Sequence, residues 1–209
     1  MRLLLTLVSL VSLTRLHANQ APLEAWLTRQ ASIRTLDSSF TQERRLPALK
    51  NPITTAGRLS FSKPNQVRWQ LGEPAQTLAI SDGKILTLIE TGTKTARQTA
   101  ADSPQAARFS LLSGKAFQSL ETFNNAFEVV ESRSLGSTHQ YTVKAKDRRT
   151  RAQIPWIFLE IDSVKNELRA LEIELQDKSR LRTVFHQPRY NLKLEDSLFQ
   201  PDLAGYQVK

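Results

Sequence analysis

The feature that most restricts the fold is an alternation of apolar and polar side chains that starts near Ser38. Leu59 and Phe61 alternate with serines, and the same period continues through residues 67–71 and 78–80. A period of two places every second side chain on one face of a β-strand. Such segments arrive about every ten residues, with an Asp-Gly turn before residues 85–89. The sequence therefore predicts an antiparallel meander in one large, curved sheet.

The alternation returns in the second half of the chain. It occupies residues 127–130, 141–145, 156–161, 171–175 and 181–185. In the fourth of these segments, leucine and isoleucine alternate with Glu172 and Glu174, so we expect one face of the sheet to be solvated and the other to be covered. The stretch from Gly92 to Pro104 is polar and has no apolar period, and no strand is predicted in it.

Three short helices are predicted to cover the sheet. Pro22 suits a first helical turn, and Leu23, Trp26 and Leu27 then fall on one helix face. Two more amphipathic helices are predicted within residues 102–123. Their apolar residues are Phe109, Leu112, Phe117, Leu120 and Phe123. We expect a mainly β protein with an α cover, in which the sheet either closes into a filled barrel or leaves a concavity that the helices plug.

The first eighteen residues are typical of an export signal. Arg2 precedes an apolar run from Leu3 to Leu13, which is shorter than the roughly 20 residues that a helix needs to cross a bilayer. Ala18 suits the residue before a cleavage site. An uncleaved amphipathic anchor is the weaker alternative, because the run has no polar face. We therefore predict a signal peptide over residues 1–18 and a single domain over residues 19–209.

Charge and composition argue against several functional classes. The formal charge is +9, and cleavage after residue 18 lowers it to +7 by removing Arg2 and Arg15. In an exported protein this charge favours anionic membrane surfaces or cargo over nucleic acid. The basic run 144–151 has no interleaved aromatic platform, and we interpret it as a solvated hairpin tip. With no cysteine, three histidines and no catalytic motif, we expect no enzyme activity, no cofactor and no metal site.

Several motifs are similar to those of the outer-membrane lipoprotein carrier protein (LolA) family. They are Ser39-Phe40-Thr41-Gln42, Gly57-x-Leu59-x-Phe61-x-Lys63-Pro64-Asn65-x-Val67-x-Trp69, Ile80-Ser81-Asp82-Gly83-Lys84, Phe109-Ser110-Leu111-Leu112 and Leu198-Phe199-x-Pro201. The resemblance implies an incomplete, half-open antiparallel β-barrel of about eleven strands, closed by three short helices. It also implies an apolar cavity for lipoprotein acyl chains.

The resemblance further implies a function and partners. Members of the family receive outer-membrane lipoproteins from an inner-membrane ABC transporter and pass them to the receptor LolB. Each acyl methylene left in water costs about 0.8 kcal/mol, so such cargo has to be shielded. We therefore expect a monomeric periplasmic carrier with transient membrane-surface contact. Two alternatives stay open: a carrier of another lipid or glycolipid, and a lipid- or lipoprotein-sensing regulatory module such as RseB.

The resemblance also assigns residues to the cavity and its lid. Trp69 matches the family's cavity tryptophan, and Val67 stands where a lid-contacting apolar residue is expected. Lys63 stands where an arginine commonly bonds lid-helix carbonyls, so a weaker or different latch is predicted. Leu86 and Leu88 give a more aliphatic wall. The predicted cavity and lid set is Phe61, Val67, Trp69, Leu78, Ile80, Leu86, Leu88, Trp26, Leu27, Phe109, Leu112, Phe117 and Leu120. In any sheet the same alternating residues could instead form a packed core.

Overall fold

The computed structural model describes residues 20–103, 106 and 115–209. The predicted signal peptide, Phe109 and Leu112 lie outside these residues. The strands are β1 (Thr35–Arg45), β2 (Ile53–Ser62), β3 (Gln66–Leu71), β4 (Thr77–Ser81), β5 (Ile85–Glu90), β6 (Thr95–Ala100), β7 (Phe127–Leu135), β8 (Thr138–Ala145), β9 (Trp156–Asp162), β10 (Glu167–Glu174), β11 (Arg180–Tyr190) and β12 (Gln207–Val208). The helices are α1 (Ala21–Ser32), α2 (Leu120–Ala126) and α3 (Arg148–Gln153), with 3₁₀ turns at Lys115–Phe117 and Asp196–Phe199.

All twelve strands belong to one open sheet, in the order β12-β6-β5-β4-β3-β2-β1-β11-β10-β9-β8-β7. Two antiparallel meanders, β1–β6 and β7–β11, are joined by the long pairing of β1 with β11. Among the described strands, only the short β12 pairs in parallel, with β6. The predicted half-open antiparallel barrel with a helical cover is therefore confirmed, and β12 is an addition to the expected count.

The helices fill the concave face of β7–β9 and part of that of β10. Trp26 and Leu27 of α1 are at most 1% exposed and pack in the same cluster as Phe117, Phe123 and Phe127. The aromatic rings meet one another closely, with Trp26 and Phe117 edge to face at 5.5 Å between centroids. Ser119 caps α2 by accepting a bond from the amide of Thr122 at 3.0 Å. This half of the barrel is a packed core, consistent with ordinary burial of apolar area.

The opposite, convex face of β3–β6 is covered by the C-terminal segment, residues 192–209. Phe199 is 1% exposed, and its 3₁₀ turn packs against β3. Leu203 and Tyr206 pack on a cluster of Ile80 and Ile89. The sheet is therefore apolar on both faces here, which corrects the expectation that one face is solvated throughout.

Two elements differ from the sequence-based expectation. The first, β6, lies in the polar stretch that showed no apolar period, because only its buried Ala96 packs on the convex-face cluster. The second, α3, forms inside the basic run that was interpreted as a hairpin tip. The carboxylate of Asp147 caps this helix by accepting a bond from the amide of Thr150 at 2.6 Å, which supplies the start signal.

Within the described part of the chain, no helix combines the length and apolarity needed to cross a bilayer. Among the same residues, His, Asp and Glu side chains form no group of three that could hold a metal ion.

Candidate functional site

A cavity of ≈ 340 Å³ lies in the half of the barrel that the helices leave unfilled. Its walls are the concave faces of β1–β5 on one side and of β10–β11 on the other. The lining residues are Gln30, Ile33, Leu36, Ser38, Gln42, Arg44, Ile53, Thr55, Leu59, Phe61, Val67, Trp69, Leu71, Thr77, Ala79, Glu90, Leu168, Leu171, Ile173, Leu175, Leu181, Thr183, Phe185, Pro188 and Tyr190. Most of them are aliphatic or aromatic, so the cavity suits an apolar ligand.

The centre of the wall is built on an aromatic pair. The rings of Trp69 and Phe40 lie 4.4 Å apart between centroids, tilted by 35°. Phe40 is fully buried because Gly57 leaves room for its ring: a Cβ on Gly57 would lie 2.3 Å from Phe40 Cζ and 2.4 Å from the carbonyl oxygen of Gln70. Phe40 in turn supports Trp69, which is only partly buried and faces the cavity.

The cavity opens at one end of the barrel. The lining residues that are exposed to solvent are Arg44, Ile53 and Glu90, and they stand at the ends of β1, β2 and β5. Thr77 donates a hydrogen bond to Glu90 at 2.9 Å beside the opening. This end, called the mouth below, combines charged groups with an apolar interior, an arrangement that suits an amphiphile.

The other end is closed by the C-terminal turn of α1. Gln30 and Ile33 face the cavity there, and the ammonium group of Lys63 donates a hydrogen bond to the carbonyl of Ala31. The contact has the form that the resemblance assigned to a lid latch: a basic residue before Pro64 bonded to a carbonyl of the covering helix. Since a lysine makes this bond as a single point charge, it lacks the second, parallel bond of an arginine fork.

A second contact holds the same turn of α1 to the β9–β10 connection. Arg29 donates to the carbonyl of Lys165 and forms an ion pair with Glu167, with 2.9 Å between Nη2 and Oε1. The guanidinium also lies 4.8 Å from the ring centre of Tyr190. Burial raises the pKa of the Tyr190 hydroxyl, so this residue stays neutral and packs beside the closed end of the cavity. This second anchor was not foreseen from the sequence.

The structure brings together some of the predicted cavity residues and separates others. Phe61, Val67 and Trp69 line the cavity. Leu86 and Leu88 pack beside Trp69 with Ala79 and Ala106, next to the wall rather than in it. The four described helical residues, Trp26, Leu27, Phe117 and Leu120, belong to the packed core and line no part of the cavity.

Leu78 and Ile80 lie on the convex face, away from the cavity. In β4 they alternate with Thr77 and Ala79, and Ala79 is paired with Trp69. Leu78 and Ile80 pack under the C-terminal segment instead. Both residues were assigned to the cavity because they are the apolar residues of the strand, but the strand has apolar partners on both of its faces.

Only Phe61, Val67 and Trp69 of the 25 lining residues were assigned from the sequence, and one whole side of the wall was missed. That side consists of residues of β10, β11 and their connection: Leu168, Leu171, Ile173, Leu175, Leu181, Thr183, Phe185, Pro188 and Tyr190. The alternation in residues 171–175 marked these side chains as one covered face. Nothing in the local pattern distinguishes the part of that face that meets a helix from the part that meets empty space.

The geometry defines a class of protein: an open β-barrel with a mostly apolar cavity between its sheet and a helical cover. The family model for the outer membrane lipoprotein carrier protein LolA matches residues 31–202. The chain belongs to the LolA family. The family is described as one of outer membrane lipoprotein carriers.

Three solved structures that align with this chain do so at low sequence identity. An uncharacterized conserved protein from Thermus thermophilus aligns with a TM-score of 0.51 at 9% identity, over 92% of this chain and 98% of that chain. A putative outer membrane lipoprotein-sorting protein domain from Vibrio parahaemolyticus gives 0.49 at 8%, over 88% and 96%. A LolA superfamily protein from Nitrosomonas europaea gives 0.46 at 10%, over 88% and 97%. Such identities bear on the fold alone. No curated protein sequence matches the chain.

Proposed function

We propose that this protein carries lipoproteins through the periplasm with their acyl chains held in the cavity. The observation that supports the proposal most is the cavity itself: an apolar space of ≈ 340 Å³ that opens to solvent at the mouth and is covered by α1 at its other end. The wall is mostly aliphatic and aromatic, and it offers the contact area that an acyl chain needs.

The energetics of the cargo favour such a cavity. Burying an acyl chain gains about 0.8 kcal/mol for each methylene, so the aliphatic and aromatic wall supplies the binding free energy without chemistry. The acyl chains leave the apolar interior of a membrane for the apolar cavity. The free-energy change of loading, and that of release, can therefore stay close to zero. Polar lining residues near the mouth, such as Gln42 and Thr55, would then lie near the head of the lipid rather than its tail.

The size of the cavity bears on how cargo enters. Its volume lies at the low end of the roughly 300–1,000 Å³ that is usual for ligand pockets, which suits one chain better than several. We therefore expect α1 to shift when a lipid with several chains is loaded. The contacts of Lys63 with Ala31 and of Arg29 with Glu167 would have to open in that step.

The proposed route begins with export through residues 1–18. An inner-membrane ABC transporter would supply the lipoprotein, and a receptor of the LolB type would accept it at the outer membrane. The family match over residues 31–202 supports this route.

A fluorescent fatty-acyl probe tests whether the cavity is the binding site. Trp69→Glu places a charge in the wall, and we expect probe affinity to fall by at least about tenfold, since burying an unpaired carboxylate beside an acyl chain is costly. Gln70→Glu is the matched control, because the neighbouring side chain in β3 lies on the convex face. It should bind the probe like the wild type.

Circular dichroism of both variants controls for folding. Equal probe affinity in wild type and Trp69→Glu, with an intact spectrum, would remove the cavity from the proposed function. Equal loss in the two variants would show that added negative charge, rather than its position, weakens binding.

A further inference from the structure

The connections between strands divide into two rims, one at each end of the barrel. Strand register places the β1–β2, β8–β9 and β10–β11 connections at the same end, because Arg45 pairs with Arg180, Arg180 with Glu174, and Glu174 with Trp156. Arg44, Ile53 and Glu90 of the cavity opening stand at this end. We call the connections 44–53, 72–76, 90–95, 146–155 and 175–179 the mouth rim. The connections at the other end of the strands form the closed rim.

The basic charge of the protein is concentrated on the mouth rim. Its five connections contain nine basic and four acidic residues. The described connections of the closed rim, residues 32–35, 62–66, 81–85, 100–103, 135–138, 162–167 and 190–195, contain five basic and five acidic residues. The charge is thus polarised along the barrel axis, with the positive end at the opening of the cavity.

Two connections of the mouth rim supply most of this charge. The hairpin 44–53 contains Arg44, Arg45 and Lys50 and no acidic residue, and the connection 146–155 contains four basic residues and only Asp147 as an acid. On α3, Arg148 and Arg149 are exposed. Two arginines in a first helical turn are unfavourable for the helix dipole, and although Asp147 caps the helix, helix stability gives no reason for these two arginines.

The same hairpin exposes apolar side chains between its basic residues. Leu49 and Ile53 are both 48% exposed, and Ile53 also lines the cavity. Apolar side chains framed by arginine and lysine are the pattern of a surface that lies in a membrane interface, where the apolar groups enter the head-group layer and the basic groups meet phosphates.

We propose that the mouth rim docks on an anionic phospholipid bilayer, with the hairpin 44–53 at the interface and α3 beside it. Long-range attraction would turn the positive end of the protein toward the membrane. The opening of the cavity then faces the bilayer, and an acyl chain passes between membrane and cavity without crossing bulk water. The protein can dock on the membrane whether or not it holds cargo. Only the purpose of docking, the transfer of an acyl chain, rests on the proposed function.

Vesicle cosedimentation tests the proposal. Wild-type protein should bind vesicles of an equimolar mixture of phosphatidylcholine and phosphatidylglycerol, release them as salt is raised, and bind pure phosphatidylcholine far less. Each basic residue near an anionic surface contributes about fivefold in affinity. We expect Lys50→Glu/Arg149→Glu to bind the mixed vesicles at least about tenfold more weakly.

The control variant is Arg34→Glu/Lys193→Glu, which makes the same change of net charge on the closed rim, at exposed side chains. It should lose much less affinity than the mouth-rim variant. Leu49→Ser should weaken binding too, while Val164→Ser, at a closed-rim residue that is 79% exposed, should not. Equal losses in the mouth-rim and closed-rim variants, or wild-type binding that ignores lipid charge, would overturn the proposal.

Probe binding distinguishes failure of docking from failure of the carrier function. The mouth-rim variant should keep wild-type affinity for the fatty-acyl probe, since neither Lys50 nor Arg149 lines the cavity. Intact vesicle binding in Trp69→Glu, together with lost probe binding, would show that the rim and the cavity act separately.

Discussion

At the scale of single residues, the wall of the cavity depends on the glycine at position 57. Gly57 contributes no contact of its own, yet any Cβ there would meet both the ring of Phe40 and the backbone of β3. Because Phe40 supports Trp69, the glycine determines where the aromatic surface of the cavity stands. The motif around residues 57–69 therefore encodes a packing arrangement as well as a strand.

Asp37 is a buried carboxylate on the convex face that joins three strands. It accepts a bidentate pair of bonds from Arg58, at 2.8 and 2.7 Å, together with bonds from Arg189 and Ser60. Burial alone would raise the pKa of Asp37, but the bonds from the two arginines outweigh it and hold that pKa below its usual range. We expect Asp37→Asn to lower the free energy of unfolding by about 1–3 kcal/mol at neutral pH.

The pH dependence of this loss follows from the direction of the shift. A lowered pKa means that the stabilisation is complete above the ordinary aspartate value of about 3.9 and disappears as pH falls through the lower folded-state value. Urea unfolding should thus show a constant gap between wild type and Asp37→Asn at neutral pH, and a closing gap in acid. Asp102→Asn, at an exposed carboxylate, is the control. A gap that widens in acid would contradict this account.

At the scale of elements, α1 is the part of the cover that cargo has to displace. Its last turn is held by Lys63 and Arg29 through bonds to Ala31, Lys165 and Glu167. These groups are partly or fully exposed, so each contact stabilises α1 only modestly. We expect Lys63→Leu to raise amide hydrogen exchange in the last turn of α1 and to impair loading and transfer of cargo more than it lowers the free energy of unfolding.

The control for Lys63→Leu is Arg34→Leu, which removes an exposed basic side chain just beyond the same turn. Exchange in α1 and cargo transfer should stay at the wild-type level in that variant. A wild-type transfer rate for Lys63→Leu would exclude Lys63 from the carrier cycle. Arg29 would then be the remaining candidate for the latch.

The C-terminal segment is the second covering element, on the convex face. Phe199 is almost fully buried against β3, and the truncation Phe199→Ala should lower the free energy of unfolding by about 3–5 kcal/mol. Leu192→Ala, at a side chain 40% exposed, should change it little. Urea denaturation measures both. Similar small losses would mean that the segment only lies on the sheet without stabilising it.

The elements that the sequence predicted well are those with one apolar face. The alternation identified β1–β5 and β7–β11, and helical spacing identified α1 and α2. The missed elements lack that signal: β6 has a single buried alanine in contact with the convex-face cluster, and α3 buries no side chain. Its formation depends on a cap at Asp147, which is a short-range signal that the surrounding basic residues obscured.

At the scale of the whole molecule, strand pattern alone could not locate the cavity. Phe61 and Trp69 lie on the concave face and line the cavity, whereas Leu78 and Ile80 lie on the convex face, which the C-terminal segment makes apolar as well. The wall from β10 and β11 depends on the β1–β11 pairing, which joins residues more than a hundred positions apart. Such pairing is a property of the whole sheet and has no local signature.

The positive charge is also distributed unevenly over the whole molecule. Excess basic residues lie on the mouth rim, and the described part of the closed rim is balanced. A charge that served only solubility would not need to be polarised along the barrel axis. The direction of the asymmetry agrees with a protein that presents one end to an anionic surface.

We propose that the cavity carries acyl chains in the cell. Native mass spectrometry of protein expressed with residues 1–18 and purified without detergent tests it most directly. We expect a bound lipid or lipoprotein, with acyl chains identified by fragmentation, on the wild type and on Gln70→Glu but not on Trp69→Glu. Protein recovered free of any lipid, or lipid retained equally by all three, would contradict the account.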